Sequence, residues 1–294
     1  MFERILIPLD GTQTSEISLP YGEELASKFN SEIIVYHVQG REQEELEHVH
    51  HVYLDKLAEN VNEMIKDGTN VLKATVKIQT GEPAQNICEL VEKNKIDLIV
   101  MAAIGASGLK IGKMIGGVTD HVCHTVPIPV MLIRPQNSAH IAKKQRLITN
   151  ILIPIDGSGL SKQALPVGRE LATKLKIPIT LFQMAHFIYP YGGDISPFAD
   201  YEKLNEAEEY KVSAEITALE KELKEQGFDV RSKVTSGTDA ASEIINISKV
   251  VNSDLIIMST HGRSGLGRWV MGSVAEKILR YGETNLLLVN GRAG

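Results

Sequence analysis

The apolar positions of the chain follow two alternating patterns. Short, nearly unbroken runs such as Ile5–Leu9, Ile33–Val38, Leu98–Ala102 and Val130–Ile133 are separated by longer stretches in which apolar residues return every three or four positions. The runs read as β-strands buried on both faces, the longer stretches as amphipathic helices. Ile17, Tyr21, Leu25 and Phe29 share one helical face, and so do Leu54, Leu57, Val61 and Ile65. An alternating segment, Val71–Ile78, predicts a strand; helices are expected near Ala84–Glu92 and through Val118 and Val122. Strict β, α alternation predicts an α/β fold with a mostly parallel, doubly wound (Rossmann-like) sheet covered on both faces.

The pattern is then written a second time. Ile5-Leu6-Ile7-Pro8-Leu9-Asp10-Gly11 recurs 146 residues later as Ile151-Leu152-Ile153-Pro154-Ile155-Asp156-Gly157. At the same offset Pro20-Tyr21-Gly22 answers Pro166-Val167-Gly168, and Glu24-Leu25-Ala26 answers Glu170-Leu171-Ala172. Matches across both a strand and a helix mark a domain duplication, with a period too long for a solenoid. The polar stretch Gln136–Arg146 reads as the linker, giving domains at 1–137 and 148–294. The last strand of each copy, Val130–Ile133 or Leu286–Val289, is short and apolar, so each is expected to cover the other's sheet edge.

The densest chemistry lies between Ser259 and Ser273. It follows the apolar run Leu255–Met258 and leads into a helical stretch. Gly262, Gly265, Gly267 and Gly272 leave positions where backbone N–H groups can approach an anion, and Arg263 and Arg268 add cationic donors. Ser273 and Glu276 have capping-box spacing, which predicts Ser273 as the N-cap of that helix. The whole reads as a phosphate cradle; glycines that serve only tight turns are the plainer reading. It is neither a Walker A motif nor the dinucleotide fingerprint. In parallel sheets ligands sit where the strand order reverses, so a first strand beside a fourth would bring Asp156 and the Gly262 loop together. Asp156-Gly157-Ser158 is also strong turn chemistry by itself.

Composition narrows the partners. A net charge of −6 argues against a nucleic-acid backbone. No apolar run approaches the ~20 residues of a membrane span. Two cysteines, Cys88 and Cys123, give no disulfide framework, and the N-terminus opens directly into a strand, so a cytoplasmic location is expected. His48, His50 and His51, among Glu44, Glu45 and Glu47, fit a solvated helix start better than a metal site. His121, Cys123 and His124 fit a helix buried beside the last strand better than thiol chemistry. Phe187–Tyr201 holds five of the fifteen aromatic residues and reads as a lid or an oligomer contact.

Taken together, the opening I-L-I-P-x-D-G, the strand end D-L-I-I-M-S-T-H-G, and Gly262 followed after nine residues by Gly272-Ser273 resemble the universal stress protein family in tandem form. The family's phosphate motif is Gly, two residues, Gly, nine residues, Gly, then Ser or Thr; Ser259 stands in place of its first glycine. The resemblance implies a doubly wound domain that in one branch binds ATP or AMP, with or without Mg. It implies that Asp156, after Pro154 and Ile155, contacts the adenosine end and that Met184 lines the base. By the same resemblance Met258 and Ser259 lie under the sugar and phosphates, while Gly262, Arg263, Gly265, Gly272, Ser273 and the adjacent Val274 hold the phosphates. Trp269, inside the cradle, should report binding.

The first copy departs from this pattern: Ile104, Ala106 and Gly117 stand for His261, Arg263 and Ser273, and its loop is one residue longer. Lys110 and Lys113 keep some positive charge. The implied function is therefore an adenine-nucleotide-binding stress-response protein, regulatory or protective, acting through its second domain. Its partners are the nucleotide and, within the chain, an internal pseudo-dimer, with a homodimer as the further assembly. No general base stands out beyond His261 and Asp156, so any hydrolysis should be slow. A nucleotide-free interaction module and an adenylyl-transfer enzyme are the alternatives.

Overall fold

The computed structural model describes residues 1–40, 57, 59, 73–105, 115–135, 146–187, 200–260 and 271–290. The apolar runs form ten strands: β1 (Arg4–Leu9), β2 (Glu32–Gln39), β3 (Lys73–Thr80), β4 (Leu98–Ala102), β5 (Val130–Ile133), β6 (Ile151–Pro154), β7 (Ile179–His186), β8 (Val230–Gly237), β9 (Leu255–Ser259) and β10 (Asn285–Val289). The described helices are α1 (Gln13–Glu16), α2 (Leu19–Phe29), α3 (Pro83–Asn94), α4 (Gly117–Thr125), α5 (Ala164–Leu175), α6 (Tyr201–Glu225), α7 (Ala240–Val250) and α8 (Ser273–Tyr281).

The strands make one sheet in the order β3-β2-β1-β4-β5-β10-β9-β6-β7-β8. Every pairing is parallel except the central one, where β5 and β10 run antiparallel with Met131 opposite Leu287. The two last strands thus cover each other's edge. The strand order reverses where β1 meets β4 and where β6 meets β9. Because the central joint is antiparallel, the strand C-terminal ends of the two copies lie on opposite edges of the sheet.

Side chains alternate across the strands and build two apolar layers, each continuous through both copies. One layer holds Ile5, Ile7, Leu25, Met131, Ile151, Ile153, Leu171 and Leu287. The other holds Leu6, Tyr36, Met101, Leu132, Leu152, Phe182, Met258 and Leu286.

The repeat extends to packing details. Gly22 and Gly168 lie where an added Cβ would stand 2.3 Å from Cδ1 of Ile7 and of Ile153, so each copy brings its helix close onto its first strand through a missing side chain. Asp97 accepts the amides of Glu3 and Arg4 at 3.0 Å, and Asp254 accepts that of Thr149 at 2.9 Å, latching the start of β1 and of β6. Four residues that follow helices, Asn30, Lys95, Lys176 and Asn252, take left-handed backbone with φ of 50° to 55°.

Beyond the strand pairing, polar groups join the copies. The residue after β5, Arg134, is buried and donates to the carbonyls of Ile278 (3.3 Å) and Leu279 (2.7 Å) in α8. The residue after β10, Asn290, donates to the carbonyls of Val126 and, at 3.2 Å, Ile128. Asn285 accepts the Arg134 amide at 2.9 Å and donates to the Tyr21 hydroxyl at 3.2 Å. Where α4 meets α8, Asp120 pairs with Arg280 at 3.1 Å and His124 with Glu276 at 3.0 Å. The end of the linker is fixed too: Arg146 donates to Leu175 and Leu147 to Glu24.

Two expectations change. The first helix is two: α1 ends at Glu16 and α2 starts at Leu19, because Pro20, lacking an N–H, suits a first helical turn rather than an interior. The alternating strand runs to Thr80. The histidine trio near Glu47 and most of the helix through Leu54 and Ile65 lie outside the described residues; Leu57 is helical and buried. Cys123 is fully buried, which pushes its thiol far up and leaves it inert, while His121 is exposed.

Candidate functional site

At the C-terminal end of the second copy's strands, between β6 and β9, lies a cavity of about 270 Å³. Its floor begins where β6 ends. Gly157 has φ of 82°, which favours glycine, and turns the chain sharply after Asp156. Oδ1 of Asp156 accepts the Ser158 amide at 2.9 Å, and Ser161 Oγ accepts the Asp156 amide at 3.1 Å. Asp156 is therefore both a turn residue and a lining residue. The first copy repeats the device with Asp10, Gly11, Thr12 and Ser15.

One side of the cavity is apolar. Phe182 and Met184 project from β7, Met258 from β9, and Ala240 and Ile244 from the first turns of α7. The opposite end is polar and is made by the start of α8. Gly272 is the N-cap and Ser273 the first helical residue, so the helix starts one position earlier than the capping box predicted, and no side chain caps it. Glu276 does not reach back to the helix start. Its carboxylate instead meets Arg280 of the next turn at 2.5 Å and, across the junction with α4, His124 at 3.0 Å. The Ser273 hydroxyl is consequently not used as a cap, and it stands exposed at the cavity beside the unpaired first-turn amides. Ser259 and Thr260 add buried hydroxyls, and the Gly272 amide donates to the Thr260 carbonyl at 2.8 Å, closing the base of the loop between them.

At the rim, Asp239 binds Lys277 and Ser242, which holds its carboxyl down to about 2 and ties the start of α7 to α8. Such an arrangement offers a largely apolar slot for a flat group and, at one helix start, hydroxyls and amides for an anion. Asp156 is the one carboxylate among the described lining residues.

Nine residues singled out in the sequence line this cavity: Pro154, Ile155, Asp156, Met184, Met258, Ser259, Gly272, Ser273 and Val274. Gly262, Arg263 and Gly265, with Trp269, lie outside the described residues, and so does most of the Phe187–Tyr201 insert. Sequence reasoning missed Ser161, Phe182, His186, Thr260, Ala240 and Ile244. Phe182, Met184 and His186 follow the two-residue period of a strand, so Met184 alone pointed to its neighbours. The repeated spacing of Asp10 to Ser15 and Asp156 to Ser161 was a second available signal.

The first copy has an equivalent, smaller cavity of about 120 Å³ beside Asp10, Tyr36, Val38 and Met101.

Comparison with known proteins bears on both copies. The Universal stress protein family matches residues 1–134 and again residues 148–290. The universal stress protein YxiE of Bacillus subtilis is 30% identical over 150 residues, 46% of this chain and 100% of its own length. The universal stress protein MJ0531 of Methanocaldococcus jannaschii is 26% identical over 155 residues, 51% of this chain and 86% of its own. Among solved structures, a universal stress protein from Archaeoglobus fulgidus superposes with a TM-score of 0.67 at 20% identity, covering 99% of each chain, a likeness of fold. With two successive matches on a duplicated α/β sheet, the chain belongs to the universal stress protein family in tandem form.

Proposed function

We propose that this protein is a stress-response module whose second domain, within 148–294, binds an adenine nucleotide, ATP or AMP, and whose folded state responds to it. The observation that carries this reading is the pairing, in one cavity, of an apolar slot with an uncapped helix start bearing the Ser273 hydroxyl. The slot of Phe182, Met184, Met258 and Ile244 suits a purine, whose burial supplies the bulk of the affinity. Asp156 would accept from an amino or ribose hydroxyl group. Ser273, with the first-turn amides of α8, would donate to phosphate, aided by the positive end of the helix dipole. Gly262, Arg263 and Gly265 complete the cradle in this reading. Mg, when present, would neutralise phosphate charge. Asp156 is the one carboxylate among the described lining residues, and in this reading any hydrolysis is slow.

The antiparallel pairing of β5 with β10 supports reading the chain as an internal pseudo-dimer of domains 1–137 and 148–294. No described helix is long and apolar enough to cross a membrane, and with two free cysteines we place the protein in the cytoplasm.

Calorimetric titration with ATP and with AMP tests the reading. Binding in the micromolar range, weakened roughly tenfold or more in Ser273→Ala, is expected, since a hydrogen bond to a charged group contributes about 1.5–3 kcal/mol. Flat titrations at millimolar nucleotide would leave the interaction-module reading in its place, and pyrophosphate release would point to adenylyl transfer.

A further inference from the structure

Where α4 of the first copy meets α8 of the second, four side chains form a cluster that the candidate site does not use. Asp120 and Glu276 are each the fourth residue of their helix, and His124 and Arg280 each the eighth. The joint thus brings two equivalent carboxylates together, each one turn from a nitrogen-bearing side chain of its own helix and facing the one opposite. The two nitrogen groups differ in chemistry. A guanidinium is always charged and offers only donors, whereas a neutral imidazole keeps a lone pair.

Hydrogen bonding around His124 sets a demand that neither neutral tautomer meets. Nδ1 lies 2.7 Å from the Asp120 carbonyl oxygen, and Nε2 lies 3.0 Å from Oε2 of Glu276. Both neighbours are acceptors, so a ring with one proton turns a lone pair toward an oxygen. A proton on Nδ1, donated to the carbonyl, fixes the ring and leaves the Nε2 lone pair beside the carboxylate, the usual support of a metal-binding histidine. A cation shared between Nε2 and Oε2 converts that opposition into two ligand bonds. Asp120 supplies a third: one donor atom each of Asp120, His124 and Glu276 lie within 4.8 Å of one another. Arg280 takes one oxygen of each carboxylate, Oδ1 of Asp120 at 3.1 Å and Oε1 of Glu276 at 2.5 Å, and leaves each a second. It holds both carboxylates in place, and two carboxylates against one guanidinium still present a negative charge to an incoming cation.

We propose that this cluster is a site for a divalent transition-metal ion of the zinc type, held by Asp120 and His124 of the first copy and Glu276 of the second. One imidazole nitrogen with two carboxylate oxygens suits zinc better than magnesium or calcium, which take oxygen ligands in greater number. The three side chains are half-buried, so they have room to close to the ~2.0–2.2 Å of zinc ligation and leave a fourth position to water. With ligands from both copies, the ion staples α4 to α8.

The test uses the full, untagged chain stripped with EDTA, with ZnCl2 as the probe and MgCl2 as the control, by calorimetry and thermal melts. One equivalent of Zn2+ should bind and raise the melting temperature, and Mg2+ at the same concentration should do neither. His124→Ala and Glu276→Gln should each weaken Zn2+ binding by more than the ~10–100-fold typical of losing an outer-shell partner. Glu276→Gln keeps the side chain's shape, and melts without metal check that each variant is folded; Asp120→Asn replaces any that is not. Co2+ supplies a readout independent of stability, since its visible absorption should appear in the parent and be lost in the same variants. The chain has a second histidine cluster, so a variant with alanine at His48, His50 and His51 should keep the joint's equivalent of Zn2+. A parent that binds no Zn2+ up to millimolar concentration would overturn the proposal and leave a second ring proton to satisfy His124. Zn2+ binding that survives both joint variants, or that vanishes with the three upstream histidines, would overturn it as well.

Discussion

A methyl group added at Gly168 would meet Cδ1 of Ile153 at 2.3 Å, closer than any real contact. Gly168→Ala therefore forces the Ile153 side chain to shift, and the overpacking cost of about 1–3 kcal/mol, offset by the roughly 0.5–1 kcal/mol that alanine gains over glycine inside a helix, should leave a net loss in denaturant unfolding. Ile153→Val removes the offending atom, so the double mutant should be more stable than the sum of the single changes implies. Glu24 is a different case. It is largely buried where α2 meets the end of the linker, and burial raises its carboxyl above the usual range although the Leu147 amide donates to it at 3.1 Å. A raised carboxyl in the fold means that the unfolded chain gives up the proton first, so this group lowers stability as pH rises through its titration range. Glu24→Gln keeps an acceptor for Leu147 and removes the charge. Thermal melts should show it more stable than the parent at pH 7, with the difference shrinking as pH falls below the ordinary carboxylate value. Sequence spacing could not place such groups. Ser273 illustrates why: its distance to Glu276 matches a capping box, yet His124 from a neighbouring helix and Arg280 from the next turn draw the carboxylate away.

At the scale of elements, the left-handed residues after helices mark where local preference was overruled. Lys176 has φ of 52° after α5, and its amide still bonds to the Ala172 carbonyl. A side chain there costs about 1–2 kcal/mol relative to the right-handed region, part of which glycine recovers against its greater freedom in the unfolded chain. Lys176→Gly should stabilise the protein by about 0.5–1 kcal/mol, read from the denaturation midpoint. Most elements were legible because their apolar runs are buried on both faces: β4, β5 and β9 lie within a residue of the predicted spans. The break before Pro20 was legible in principle, since proline tolerates only a first turn, but the apolar face of Ile17, Tyr21, Leu25 and Phe29 runs straight across it. Within the candidate site, Met184, Met258 and the start of α8 were found, whereas Ala240 and Ile244 of α7 were not. Small and aliphatic side chains on a helix look the same in sequence whether they face a core or a cavity.

The described strands form one sheet, joined between the copies where β5 meets β10. Four-residue β5 meets five-residue β10, and the polar contacts of Arg134 and Asn290 reinforce them from either side. Arg134→Met removes donors from two helix carbonyls in a buried setting, and burial already lowers that guanidinium to about 10. A loss of about 2–4 kcal/mol is expected in denaturant unfolding, with both copies still melting in one transition because they share continuous apolar layers. The duplication itself was plain in the sequence at an offset of 146, whereas the antiparallel sense of the joint was not, since short apolar strands carry no direction. That joint has a further consequence. A dimer assembled from two identical chains carries the same pocket twice and falls apart on dilution. Joining the halves covalently holds them at a fixed effective concentration and releases each from copying the other. One half can then change in sequence, as the stretch after Gly105 has relative to that after Gly262, without losing the strand pairing that joins it to the other.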